Sequence, residues 1–216
     1  MSNLPPKIPS AKEYLKLVNQ LTPDSPSRKL EQYITPSQLL SQIHEVILPY
    51  VKNEGVIDLG CGTGVLGIFC KLLGASIVLC VDIDQRMVLK GKGFTKKFNI
   101  QGMNWLLVPL EFLNTTKIRN SKLFETVISN PPFGVWRQGL DRIFVEKGMS
   151  MANVVISFHK SNIQTRKLFS KLARFKKFDC EILVTTDFLL TKTMDIHKEV
   201  LYPVSIDIYK FEKRRG

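Results

Sequence analysis

Asp58-Leu59-Gly60-Cys61-Gly62-Thr63-Gly64 stands between the apolar pair Val56-Ile57 and the run Val65-Leu66-Gly67-Ile68-Phe69-Cys70-Lys71-Leu72-Leu73, and this arrangement decides the fold. The downstream run has helical periodicity and stops at Gly74, the residue type favoured just past a helix end. A strand, a glycine loop and a helix are expected in that order. Ile77-Val78-Leu79-Cys80-Val81 then reads as a buried strand ending on Asp82. That carboxylate falls about 20 residues past the glycines, where nucleotide-binding βαβ units keep one for ribose hydroxyls.

The glycine spacing leaves the cofactor open, because Gly62-Thr63-Gly64-Val65-Leu66-Gly67 also satisfies the dinucleotide pattern G-x-G-x-x-G. Asp58 separates the alternatives. A carboxylate at the end of the first strand would repel a pyrophosphate and attract a cofactor with an ammonium, a sulfonium and no phosphate, which is S-adenosylmethionine. The plainer alternative is that Asp58 only caps the following turn. A P-loop is excluded because no Gly-Lys-Ser/Thr follows the glycines.

A second stretch, Asn130-Pro131-Pro132-Phe133-Gly134, ends the expected fourth strand, Thr126-Val127-Ile128-Ser129. Between the two stretches the pattern predicts a helix from about Gln85 to Phe98, with Met87, Val88, Gly91, Phe94 and Phe98 on one side. A third strand follows at Leu106-Leu107-Val108, with Trp105 before it and Glu111 beyond. Asn130 then lies on the same rim of the sheet as Asp58 and Asp82, the rim where open α/β sheets bind ligands. The chemistry that suits it is methyl transfer to a planar amino nitrogen. The lone pair of such a nitrogen is delocalised, and accepting its two N–H hydrogens with the Asn130 side-chain oxygen and the Pro131 carbonyl favours a pyramidal, nucleophilic geometry. Pro131 and Pro132 fix φ and hold the carbonyls rigid, and Phe133 offers a stacking face for a flipped-out base. The plainer alternative is a strand-ending turn with Phe133 in the core.

Composition sets the outer bounds. A chain of 216 residues with 44% hydrophobic content builds one full-sized core. No apolar stretch approaches the ~20 residues of a membrane span, and Met1 to Pro9 lacks a leader pattern, so a soluble cytoplasmic protein, or a nuclear one in a eukaryote, is expected. Cys61, Cys70, Cys80 and Cys180 form no C-x-x-C pair and read as free thiols, with no metal site. The formal charge of +12 is a sequence-independent attraction for a polyanion.

Residues 1–29 read as a helical N-terminal extension, Ala11 to Leu21, joined by a Pro/Ser linker to a domain covering 30–216. Gln32, Tyr33 and Thr35 precede a helix expected from Gln38 to Val46, capped by Ser37 and stopped before Pro49. Residues 153–158 predict a fifth strand. A helix from Lys160 to Lys177 follows, with Leu168, Leu172 and Phe175 facing inward and Lys167, Lys171 and Arg174 sharing an exposed face. With His159 and Lys160 on the rim side, these basic residues are candidate RNA contacts. Cys180 to Val184 and Val204 to Ile208 read as a closing antiparallel pair. The sum is an α/β fold: a mostly parallel seven-stranded sheet with an antiparallel final strand and helices on both faces.

Taken together, Glu31-Gln32-Tyr33 with Thr35, Asp58 to Leu66, Asp82-Ile83-Asp84, Asn130 to Gly134, Ser157-Phe158-His159-Lys160-Ser161, His197-Lys198 and Ile206-Asp207-Ile208 resemble the small adenine-N6 methyltransferases of ribosomal RNA, the methyltransferase-like protein five group. That resemblance implies a Rossmann-type methyltransferase fold, S-adenosylmethionine as donor, an adenine amine of small-subunit rRNA as acceptor, and a small zinc-binding activator protein as partner. It places the cofactor contacts on Gln32, Tyr33, Thr35, Asp58, Gly60, Cys61, Gly62, Gly64, Val65, Asp82, Ile83 and Asn130. Glu111 takes, one residue out of register, the place of the acidic residue that faces the cofactor adenine. Asp141 and Phe144 match the family, but Val135-Trp136-Arg137-Gln138-Gly139-Leu140 replaces its Lys/Asn-rich loop, so substrate selection is open. Other planar amines also suit the clamp: guanine N2 in rRNA, adenine in DNA, or a protein glutamine amide. A catalytically silent RNA-binding module is the third class. The partner is expected at the margin formed by Asn104 to Val108, which carries no charge and includes Trp105, unless the N-terminal extension covers it.

Overall fold

In a computed structural model of the chain, the described residues are 9–23, 26–27, 30–32, 35–132, 139–191 and 201–215. Tyr33, Phe133, residues 134–138 and His197-Lys198 lie outside them. The strands are β1 (Gly55–Leu59), β2 (Ile77–Asp82), β3 (Met103–Leu107), β4 (Thr126–Ser129), β5 (Val154–Lys160), β6 (Phe178–Thr191) and β7 (Leu201–Lys213). They form one sheet in the order β3-β2-β1-β4-β5-β7-β6, parallel from β3 to β5, with β7 antiparallel to both of its neighbours. The chain builds outward from β1 to β3, then returns to the other side of β1 with β4. The strand order therefore reverses between β1 and β4, the crevice where such sheets bind ligands.

Helices α1 (Ala11–Leu17), α2 (Ser37–Val51), α3 (Val65–Leu72), α4 (Gln85–Lys97), α5 (Thr115–Ser121), α6 (Leu140–Met151) and α7 (Ile163–Lys176) cover the two faces. Alternation within the strands splits the core. Val56, Val78, Cys80, Ile128, Ile156 and Phe158 join one cluster, with Leu40 and Ile43 of α2 and Phe69 of α3. Ile57, Leu59, Val127 and Val155 join the other, with Val145 of α6 and Phe169 of α7. All four cysteines are free. No helix among the described residues is long and apolar enough to cross a membrane.

The N-terminal helix is a working part of this core. Ser10 and Glu13 form a reciprocal capping box that starts α1, and Tyr14, Val18 and Leu21 are fully or almost fully buried. The Tyr14 hydroxyl donates to the carbonyl of Val65 at 3.1 Å, so α1 braces the first residue of α3 from behind the glycine loop. Rather than covering the margin at β3, the segment packs on α2, α3 and α4.

Several boundaries differ from expectation. The helix expected to stop at Val46 runs to Val51 through Pro49, and its N-cap is Pro36 with Ser37 already helical. Pro49 sits in the last turn, where its ring costs one N–H bond, and the Lys52 N–H still reaches the Leu48 carbonyl at 3.1 Å. The closing strands are far longer than the two short runs predicted, and they pair from Phe178↔Lys213 to Thr191↔Leu201. On α7 the inward residues are Phe169, Leu172 and Ala173, whereas Leu168 is 38% and Phe175 81% exposed, contrary to the expected inward set. Leu172 fits either helix phase, and packing against Tyr209 and Phe211 selects the one through Phe169.

Candidate functional site

At the reversal of strand order, one cavity is lined by residues from four strand ends: Asp58, Gly60, Cys61, Gly62 and Val65 after β1, Asp82 and Ile83 after β2, Glu111 after β3, and Asn130 and Pro132 after β4. Gln32 and Thr35 close it from the segment before α2. The sequence-predicted cofactor residues within the described chain thus converge, with Gly64 as the exception. Tyr33 and Phe133 fall outside the described residues.

The loop after β1 is shaped by three glycines with positive φ: Gly60 (+72°), Gly62 (+54°) and Gly64 (+81°). Gly60 also has no room for a side chain, since a Cβ there would lie 2.6 Å from the Phe144 ring of α6. Gly64 is the N-cap of α3, and its missing side chain makes space for the Trp105 ring of β3. Gly64 therefore serves packing beneath the loop instead of lining the cavity.

Asp58 caps the following turn and also faces the cavity. Its Oδ2 accepts the Gly67 N–H of the first turn of α3 at 2.7 Å, while the residue also lines the cavity. Burial pushes its carboxyl up to about 7, against the stabilising Gly67 hydrogen bond. Asp82 accepts the Gly62 N–H at 2.7 Å and the Asp84 N–H at 2.8 Å, one on each oxygen. Those bonds fix the carboxylate's orientation toward the cavity, and burial raises its pKa despite them. Asp84 turns outward to Arg86, which holds its carboxyl at about 2, and also accepts the Gln32 amide at 3.0 Å. Gln32 thereby ties the segment before α2 to the end of β2.

The second stretch is joined to the first by hydrogen bonds. The Ser129 hydroxyl donates to the Leu59 carbonyl at 2.8 Å, locking the ends of β4 and β1 together. One residue on, the Asn130 Nδ2 donates to Thr35 Oγ1 at 3.1 Å. An amide whose nitrogen is turned to Thr35 presents its oxygen as the opposite, accepting pole. Pro131 is buried and Pro132 half-buried at the cavity wall.

Among the described residues, the lining contains acidic groups (Glu31, Asp58, Asp82 and Glu111) and no lysine or arginine. Its apolar part comes from Leu59, Val81, Ile83, Val108, Leu110, Leu140 and Phe144. This donor set fits a cationic, phosphate-free ligand with a flat apolar portion and hydroxyls, and it opposes a pyrophosphate. Val108, Leu110, Leu140 and Phe144 are absent from the predicted site. Leu140 and Phe144 carried a signal, being spaced i, i+4 just after the Asn-Pro-Pro-Phe stretch.

The candidate RNA contacts separate into two groups. Lys160, Lys167, Lys171 and Arg174 are exposed. His159 is 2% exposed and is removed from that set. Its ring packs on Phe169 (4.4 Å) and Tyr209 (5.6 Å), 3.8 Å from Asp141, and burial pushes its pKa down to about 3. A neutral imidazole inside the core touches no phosphate. Among the described residues no cluster of His, Cys, Asp or Glu could hold a metal ion.

The family described as Methyltransferase small domain matches residues 36–151, more than half of the chain. An rRNA N(6)-adenosine-methyltransferase, METTL5 of Danio rerio, is 30% identical over 87% of this chain and 91% of its own length. Its counterpart metl-5 of Caenorhabditis elegans is 31% identical over 94% of this chain and 97% of its own. A crystal structure from Pyrococcus horikoshii superposes with a TM-score of 0.80 at 28% identity, covering 94% of this chain and 96% of that one.

Proposed function

The chain belongs to the methyltransferase small-domain family, among the METTL5-type rRNA N6-adenosine methyltransferases, and from that premise we propose that it methylates the exocyclic N6 amine of an adenosine in ribosomal RNA of the small subunit, with S-adenosylmethionine as donor. The observation that carries the reading is the meeting of Asp58, Asp82 and Asn130 around one cavity.

S-adenosylmethionine, when bound, supplies a methyl group on a sulfonium. Asp58 lies where a carboxylate attracts the ammonium of its amino-acid end, and Asp82, held by the Gly62 and Asp84 N–H groups, accepts from ribose hydroxyls. Ile83, the apolar wall and Glu111, which line the same cavity, would hold the adenine. The acceptor amine donates one hydrogen to the Asn130 side-chain oxygen and the other to the Pro131 carbonyl, which turns its lone pair toward the methyl group. Thr35 positions Asn130 through the 3.1 Å bond; stacking on a flipped-out base is the role proposed for Phe133, which lies outside the described residues. The test is mass spectrometry of rRNA nucleosides from cells with and without the protein. Loss of N6-methyladenosine supports the reading, whereas loss of N2-methylguanosine, or no change, refutes it.

A partner belongs to the same proposal. β3 is the margin of the sheet, and on it Leu106 is 37% and Leu107 47% exposed beside Phe112 at 76%. A small zinc-binding activator adds a strand there and covers these side chains. Trp105, expected to be buried by that partner, instead packs inward on Gly64 and Gly91.

A further inference from the structure

Helix α7 is amphipathic in an unusual sense. Its fourteen residues, Ile-Gln-Thr-Arg-Lys-Leu-Phe-Ser-Lys-Leu-Ala-Arg-Phe-Lys, include no acid. The buried face is narrow, made of Phe169, Leu172 and Ala173. Lys167, Lys171 and Arg174 occupy the middle of the outward arc at three- and four-residue spacing. Along one flank of that arc, seven residues apart and so one above the other, lie Leu168 and Phe175. Phe175 is the most exposed large apolar side chain among the described residues, at 81%, and Lys176 Nζ stands 5.8 Å from its ring centroid. An aromatic ring presented to water beside an ammonium, on a helix face with further cations, matches a strand that offers both phosphates and base faces.

The placement of the helix adds direction. β5 ends at Lys160 on the rim that carries Asn130 one strand away, and α7 starts three residues later and runs back along the sheet. At 1.5 Å per residue, the twelve steps from Ile163 to Phe175 place the ring about 18 Å along the helix from its rim end. We propose that α7 is a docking track for single-stranded RNA flanking the target adenosine, with Lys167, Lys171 and Arg174 on its phosphates and Phe175 stacking on one base remote from the reaction. This rests on RNA being the substrate, and it adds a base contact at the far end of the helix from the rim.

The track has a two-part signature. Phe175→Ala removes stacking but no counterion release, so affinity for an rRNA fragment falls about fivefold to a hundredfold with the salt slope of binding unchanged. Lys167→Ala with Lys171→Ala and Arg174→Ala lowers that slope by about 0.7 per lost contact. Phe175→Trp preserves affinity. Because Phe175 is exposed, thermal unfolding of the alanine variant stays at the wild-type midpoint, so a binding loss is not a folding loss. S-adenosylmethionine affinity also stays unchanged. Wild-type protein that methylates rRNA while Phe175→Ala binds and turns over the same rRNA fragment normally overturns the track and leaves the proposed reaction standing. Wild-type protein that neither binds nor methylates RNA overturns both. Loss of an associated protein with RNA affinity intact assigns the face to that protein and also overturns the proposal.

Discussion

Gly91→Ala tests how tightly the β3 margin is packed into the site. In an ordinary helix interior this substitution stabilises by about 1 kcal/mol, because alanine is the better helix former. Here the new Cβ would overlap the Trp105 ring and lie 2.5 Å from the carbonyl oxygen of Thr63. The indole can shift, but Thr63 is main chain of the glycine loop, so relief requires moving α4 or the loop itself. Overpacking of this kind costs about 1–3 kcal/mol, which leaves a net loss of up to about 2 kcal/mol after the propensity gain. For a chain of this size that lowers Tm by up to about 8 °C. Circular dichroism melts give the stability, and calorimetric titration with S-adenosylmethionine shows a weakened Kd as the loop is displaced. Adding Trp105→Leu to Gly91→Ala recovers part of the loss, with a coupling energy of about 0.5–3 kcal/mol. A variant that melts higher than wild type and binds the cofactor equally well would refute the packing argument.

Asn130→Ala is expected to lower single-turnover methyl transfer by orders of magnitude with little change in cofactor affinity, since its contact acts on the acceptor; equal loss of both would make it structural. The Asp58 carboxyl, raised from 3.8 to about 7 by burial, binds its proton more tightly folded than unfolded. Its contribution to stability is therefore full below about pH 4 and is lost as the pH rises to about 7, so Asp58→Asn should flatten the fall in Tm across that window. Leu107→Lys, at a half-exposed edge position, should leave the lone chain's Tm within about 2 °C while abolishing co-purification with a strand-adding partner. Retained binding would remove β3 as the docking edge.

The strand ends were readable because glycine, proline and terminal carboxylates act locally: Asp58, Asp82 and Asn130 each follow an apolar run whose length and bounds identify a parallel strand. Other features depend on contacts distant in sequence. The phase of α7 could run through Leu168 and Phe175 or through Phe169 and Ala173, and only Tyr209 and Phe211, some 40 residues later, choose between them. His159 looked like a rim cation in a Ser-Phe-His-Lys run, but strand alternation turns it onto the α7 face, among Phe169 and Tyr209. Pro49 reads as a helix stop because sequence does not reveal whether it falls in an interior turn or the last one. Gly64 looked like part of the cradle, and its packing role against Trp105 spans 41 positions that no local pattern reports.

The place of β7 between β5 and β6 governs the order in which the molecule is finished during synthesis. β6 leaves the ribosome before the strand that holds it to the rest of the sheet, so it has no strand partner while the chain grows. Meanwhile the outer edge of β5, from Val154 to Lys160, stands unpaired. A polypeptide halted after Thr191 would therefore expose two open strand edges rather than lack one marginal strand, and unpaired edges are where nascent chains aggregate. Both edges close together, when residues 201–213 pair with β5 on one side and β6 on the other.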